Sequence, residues 1–403
     1  MYYTVRIIFI SIFTLNIIGA IHFYNISGSS QTLDAIVVGF ISFFIGIFLG
    51  RWNVFKKKKS IFFSPTIIEI KQKKTLQSNS LFCICILFSI SFFLSCLLFF
   101  FKGIPLFSAN DNELRSSFGI GTYGLIRALG TWCPMACIFV FFISIINKKY
   151  KIVSLTVIGL TILLLAFYSF KGNIVWLAMM IFLTNTIAKK KIEFVKGIFL
   201  FLSTGIVILS IFSVWLSVDS STALFYLIKR ITQDQVDGLN YIIQKFIPLV
   251  GFYNGHHFSD EFTNTFFSIY KDSFDIKLAS YFYGKSVSWG IVQTLYGFLY
   301  IDYGFWGIIV GFLILGVLVR KIENAFRNIN ELTIQSLCFY IYLVYILLKM
   351  FLVGNIFNEI KGPMFSALFF NVFYIFIYSF LYKAGKLKII KRLYNVHGKS
   401  IRR

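Results

Sequence analysis

The stretch GHHFSDE, residues 255–261, places His256, His257, Asp260 and Glu261 within one turn or two of chain. Histidine titrates near neutrality and takes up a proton without a large pKa shift. A carboxylate among arginines stays ionised and is the weaker base. The order of preference for a general base is therefore His257, then His256, then Asp260, with Asp234 and Asp237 as further candidates. A second set of residues is cationic: Arg115, Arg127, Lys171 and Arg230, with Lys245 and Lys349, all at the ends of apolar runs or between them. The planar arginine fork holds two phosphate oxygens at once, so several such groups converging would suit a diphosphate. The plainer alternative is snorkelling, or pairing with Asp111, Glu113, Asp302 or Glu359. A third feature is the elbow QTLYGFLYIDYGFWG, 293–307, in which glycines and aromatics surround one acid, Asp302. Glycine lets the backbone turn and approach closely there. Tyr296, Tyr300, Tyr303 and Trp306 are expected at a membrane–water interface, where amphipathic rings collect. Asp302 either orients an arginine or caps the start of the helix that follows. Gln293 and Tyr296 are expected to support it.

Other chemistries are excluded by the absence of their signatures. There is no GxxxxGK[ST], no HExxH, no GxSxG and no nucleotide-binding fingerprint. Adjacent His256 and His257 cannot share one helix face, which argues against a metal site. Neither a metal nor a cofactor is called for. The six cysteines fall in or beside apolar runs without a CxxC pair, which points to packing rather than disulfides.

The elements that must position these residues are membrane helices. Of the 403 residues 58% are hydrophobic and 14% charged, and mean hydropathy is +0.79. Soluble domains carry about 25% charged residues. Ten apolar windows reach the length of a span, about 20 residues: 5–24, 34–54, 81–101, 125–146, 152–170, 173–188, 197–218, 303–319, 333–353 and 364–382. The first lacks a small-residue cleavage site and is expected to remain as a helix. The expected fold is all-α and polytopic, a single membrane domain over 1–403, with both termini cytoplasmic. Under that topology 27 Lys/Arg and four acids lie inside, against 12 and 12 outside. The net charge of +23 is thus a positive-inside bias and a means of contacting anionic lipid, and nucleic acid is excluded as its partner. The loop 219–302, between spans seven and eight, is the large outer one. In it Leu239, Ile242, Ile243, Phe246 and Ile247 keep helical spacing, predicting a helix lying on the membrane surface.

Three stretches carry a resemblance: IPLFS with Arg115 downstream (104–115), the hairpin YSFKGN (168–173), and the elbow 293–307 with GFLILGVL after it. With the architecture, they resemble the bacterial O-antigen and capsule repeat-unit polymerases, the Wzy family. That family is similar to the O-antigen ligases and other membrane-embedded polysaccharide glycosyltransferases. Some members show paired Arg-x10-Gly motifs; here the residue eleven on from Arg230 is Tyr241, and from Arg115 Ile126. The resemblance implies a bacterial inner-membrane enzyme with its active site facing the periplasm. It would pass a glycan from undecaprenyl diphosphate to a sugar hydroxyl of another lipid-linked repeat unit. A lipid-linked oligosaccharide, membrane lipid and a chain-length regulator protein are the implied partners. A flippase for the same units is the main alternative, but a flippase should bury charges along a path from both faces. A scaffold for polysaccharide assembly, the third class, would not need the outer cations.

Overall fold

The computed structural model describes residues 4–27, 29–51, 67–108, 121–168, 171–189, 233–267, 274–284, 293–327, 332–354 and 356–381, with a few isolated positions between them. Among these residues the fold is all-helical, and nine helices are long and apolar enough to cross a membrane. The nine match nine of the ten expected windows. The tenth, 197–218, lies largely outside the described residues. The protein is therefore a multi-pass membrane protein. The chain divides into two compact units.

The first unit comprises residues 1–56, 169–327 and 340–365. It contains α1 (Thr4–Ser27), α2 (Gln31–Leu49) and, later in the chain, α13 (Thr294–Arg327). The second comprises 57–168, 328–339 and 366–403 and contains α3 (Ile67–Gln72), α4 (Lys74–Lys102), α5 (Gly121–Gly130), α6 (Trp132–Ile146) and α7 (Lys151–Phe167). Between them in sequence the first unit adds α8 (Lys171–Lys189), α9 (Asp234–Tyr241), a π turn (Ile242–Phe246), α10 (Ile247–Val250), α11 (His256–Phe267) and α12 (Phe274–Tyr283). After α13 come α14 (Ile334–Val353), α15 (Ile356–Glu359) and a second π turn (Ile360–Met364).

The second unit is pinned by polar contacts among apolar helices. Trp132 Nε1 donates to the Ser366 carbonyl at 3.1 Å, Ser91 Oγ to the Leu129 carbonyl at 2.7 Å, and Asn147 Nδ2 to Gln77 Oε1 at 2.9 Å. Its cysteines, like Cys338 at its edge, are unpaired.

In the first unit α2 and α13 pack with their backbones nearly touching. A β-carbon on Gly46 would sit 2.1 Å from the Leu313 carbonyl oxygen, and one on Gly316 would sit 2.1 Å from that of Phe43. Small residues let membrane helices approach in this way, because apolar side chains gain little by leaving lipid. Above this seam Phe13, Phe43, Tyr296, Phe312 and Phe351 form one buried aromatic cluster.

Two expectations are corrected here. The helix Thr294–Arg327 is broken at Gly304, whose φ of 57° and ψ of −139° are not helical, so its spanning part begins beside the expected 303 and a further helical stretch, 294–303, precedes it. The chain doubles back at that point. The ring of Tyr296, eight residues before the break, lies 4.4 Å from that of Phe312, eight residues after it. Residues 294–303 thus form a short arm running back along the spanning helix. Tyr296 is consequently 1% exposed and Tyr300 7%, so neither sits at an interface, whereas Tyr303 and Trp306, at the turn, are exposed. The second correction concerns α9 and its π turn. The predicted helix is present, but Leu239, Ile242, Ile243 and Phe246 are covered by protein. Thr32 donates to Asn240 Oδ1 at 2.9 Å, Gln244 Nε2 donates to Ser29 Oγ at 2.5 Å, and Ile242 packs on Gly297 of the arm. An amphipathic pattern reports that one face is apolar, not whether lipid or protein covers it.

Candidate functional site

The site is built where the arm meets α11. Asn254 and Gly255 have φ of 50° and 92°, so the chain makes a left-handed turn just before His256. Gly255 is required twice over, since a β-carbon there would also lie 2.5 Å from the Tyr303 hydroxyl. The turn aims the first N–H groups of α11 at Asp302. Its carboxylate accepts from the backbone of Gly255 at 3.0 Å, His257 at 3.1 Å and Phe258 at 2.8 Å. These are the donors that an N-cap side chain normally satisfies, here reached by a residue 44 to 47 positions away in sequence. The negative charge also complements the helix N-terminus. Two main-chain bonds run beside it, Tyr253 N–H to the Ile301 carbonyl at 3.0 Å and Asn254 N–H to that of Asp302 at 3.2 Å.

The cap decides between the two roles expected for Asp302. It caps a helix, but that helix is α11 rather than its own. Asp302 is 2% exposed and its acceptors are occupied by backbone donors.

Capping sorts the cluster 255–261 into two faces. His257, Glu261 and Thr265, four apart, are buried. The His257 ring lies between Phe274 at 4.3 Å and Phe298 at 4.7 Å. Its Nδ1 is 3.7 Å from Asp302 Oδ2, beyond hydrogen-bond reach, and neither ring nitrogen has a hydrogen-bond partner. Glu261 accepts the Phe274 N–H at 2.7 Å, and burial pushes its carboxyl above the usual range. His256, Ser259 and Asp260 are exposed, and His256 and Asp260, at i and i+4, are neighbours on the open face. The structure therefore turns the sequence's first choice of base, His257, inward, and leaves the second and third choices open to a ligand.

The far end of α11 is held too. Lys361 Nζ donates to the Thr265 carbonyl, and Thr265 Oγ1 lies 3.4 Å from Asn358 Oδ1. Beside them Glu359 pairs with Lys349 at 2.6 Å. Lys361 and Asn358 were not singled out from the sequence. The signal available was a glycine and proline at 362–363 in an apolar run, which coincides with the π turn Ile360–Met364; such turns recur at functional sites.

Of the expected diphosphate-binding residues, Arg115 and Arg230 lie outside the described residues. Lys171 opens α8, and Arg127 is half-buried in α5 of the other unit. Gln293 and Thr294 start the arm. Both are 1% exposed, and the Gln293 Oε1 and Thr294 Oγ1 atoms have no hydrogen-bond partner. The Thr294 carbonyl is close enough to Gly354 that a β-carbon there would lie 2.3 Å from it. Gln293 packs beside Gly297 and Gly354 through its stem, and Tyr296 lies in the aromatic cluster. Among the described residues no cluster of His, Cys, Asp and Glu is arranged to hold a metal.

Compared with known families, the chain matches the family described as "Putative O-antigen polymerase" over residues 3–356. No curated protein and no solved structure matches it.

Proposed function

The chain belongs to the O-antigen polymerase family, and from that premise we propose that it joins undecaprenyl-diphosphate-linked oligosaccharide repeat units at the periplasmic face of the bacterial inner membrane. The observation that carries the site assignment is the cap by Asp302, which fixes α11 against the arm and leaves His256 and Asp260 on the open face. In this reading the acceptor hydroxyl oxygen attacks the anomeric carbon of the donor glycan. The anomeric C–O bond breaks, the lipid diphosphate leaves, and His256 or Asp260 takes the hydroxyl proton. A positioned base of this kind contributes roughly 10²–10⁴-fold. Arg115, Arg230, Lys171 and Arg127 are the proposed cations for the departing diphosphate, and removing one such stabilising group typically costs about 10²–10³ in rate. Asp302 acts as a positioning residue, through α11. The nine spans among the described residues, the long segment between α8 and α13 and the net charge of +23 support a substrate carried in the membrane. A chain-length regulator protein is the proposed protein partner.

Deletion of the gene followed by analysis of lipid-linked sugars tests the reading. Single repeat units accumulating on the outer face are expected. Units trapped on the inner face would mean a flippase instead. The proposed orientation is tested by Ser259→Cys and Ser400→Cys with a membrane-impermeant thiol reagent in intact spheroplasts, on a background in which accessible native cysteines are replaced. Labelling at 259 and not at 400 is expected, and the reverse would invert the topology.

A further inference from the structure

The end of α13 remote from Asp302 holds a second buried carboxylate, Glu323, 1% exposed. Arg6 occupies it: the Arg6 backbone N–H donates to Oε1 at 3.3 Å, its Nε donates to Oε2 at 2.6 Å, and its NH2 lies 2.5 Å from the same oxygen. Arg320, one turn earlier, is 6% exposed. Its NH1 is 3.6 Å from Glu323 Oε2, and neither its Nε nor its NH1 has a hydrogen-bond partner. Two guanidinium groups therefore share one carboxylate that the first already fills. Arg51, exposed, brings further positive charge near Arg320. The Arg320 stem is confined by the end of α2, where a β-carbon on Gly50 would lie 2.8 Å from its Cβ. A confined, buried guanidinium with free donors and an excess of positive neighbours is a costly arrangement unless an anion completes it.

We propose that this end of the unit binds a phosphate group, supplied by an anionic phospholipid headgroup, with Arg320 as the inner ligand and Arg51 at the rim. Three candidate spans, Thr4–Ile26, Gln31–Leu49 and Thr294–Arg327, begin or end here, so the cluster lies at the depth where headgroups lie. Guanidinium groups suit the phosphate because each offers paired N–H donors. Basic pockets between spanning helices are a known way of holding such headgroups. The site is independent of the polymerisation reading, and Arg320 is about 24 Å along α13 from Gly304, at 1.5 Å per residue.

Native mass spectrometry of the purified full-length protein tests this, with phosphatidylglycerol and phosphatidylcholine offered together. The wild type is expected to retain phosphatidylglycerol preferentially. Arg320→Gln and Arg51→Gln are each expected to lower that retention about fivefold, the effect of one basic residue near a headgroup. Lys148→Gln, an exposed cation of the other unit, is expected to leave it unchanged. Arg51 is exposed, so its variant keeps the test open if Arg320→Gln fails to accumulate. If inorganic phosphate displaces the lipid from the wild type but not from residual sites in Arg51→Gln, the site is supported with free phosphate as a second source. Equal retention by wild type and Arg51→Gln would overturn the proposal, as would an equal loss in Lys148→Gln, which would mark diffuse attraction.

Discussion

At one end of α13 Asp302 accepts three backbone N–H groups; at the other Glu323 faces Arg6 and Arg320. Both carboxylates are almost fully buried. The first is satisfied by neutral donors of a helix start, so its effect is geometric: it fixes where α11 begins and which side faces out. The second is satisfied by charge, and its surroundings hold more charge than it can balance. Burial alone therefore says little about a carboxylate's role; the kind of partner decides it.

The largest effect is expected at Glu323. Glu323→Ala leaves Arg6 and Arg320 facing each other, and loss of one partner of a buried pair costs about 3–5 kcal/mol. Strongly reduced accumulation of the protein in the membrane is expected, measured by quantitative blotting of membrane fractions. Normal accumulation would show that the arginines are solvated and the pair adds nothing. Asp302→Ala is the matching change at the other end. It removes the acceptor of three N–H groups, of which only that of His257 is buried, so about 1–3 kcal/mol is expected for the buried group left unsatisfied, and it leaves no buried cation. The expected result is protein that still reaches the membrane and makes little polymer, with Asp302→Asn, which keeps an acceptor oxygen, intermediate. Asp302→Ala with wild-type chain lengths would remove the cap from the account.

A smaller effect is expected at Gly255, where alanine meets both a positive φ and the Tyr303 hydroxyl. About 1 kcal/mol or more of destabilisation is expected, read as a lower melting temperature of the purified protein, together with shortened polymer. The smallest effect is at Glu261. Burial raises its carboxyl, so the folded state favours the protonated form. That contribution is fully present below the unfolded value, about 4.3, and is lost as pH rises through the raised folded value. Glu261→Gln removes the titration. Its melting temperature should therefore rise relative to the wild type's as pH goes from acid to neutral, and a fall relative to the wild type's would contradict the burial assigned to Glu261.

The spans were legible in the sequence because they are continuous apolar runs, and nine of them lie where composition places them. The helix at 234–250 was legible from its spacing, yet its cover was not, since Thr32, Ser29 and Gly297 reach it from distant parts of the chain. The arm escaped for a related reason. Gly304 marks a bend, but only the pairing of Tyr296 with Phe312 shows that the chain reverses completely. The faces of 255–261 were hidden because the cap that starts α11 is not local: no Ser, Thr or Asp stands before His256 in the usual capping position, and Asp302 fills it from 44 residues downstream of Phe258. Chemistry-bearing residues were therefore found as a group, while their order of access required the fold.

In the proposed mechanism the open face of α11, rather than its buried face, meets the substrate. Polymer length and amount in a deletion strain, complemented with His256→Ala/Asp260→Ala or with His257→Phe and normalised to membrane-inserted protein, measure this most directly. The double variant is expected to lose polymer about 10²-fold or more while remaining in the membrane, and His257→Phe, which fills the space between Phe274 and Phe298, to retain most of it. Wild-type polymer from the double variant, with loss in a stably inserted His257→Phe, would instead place the base on the buried face.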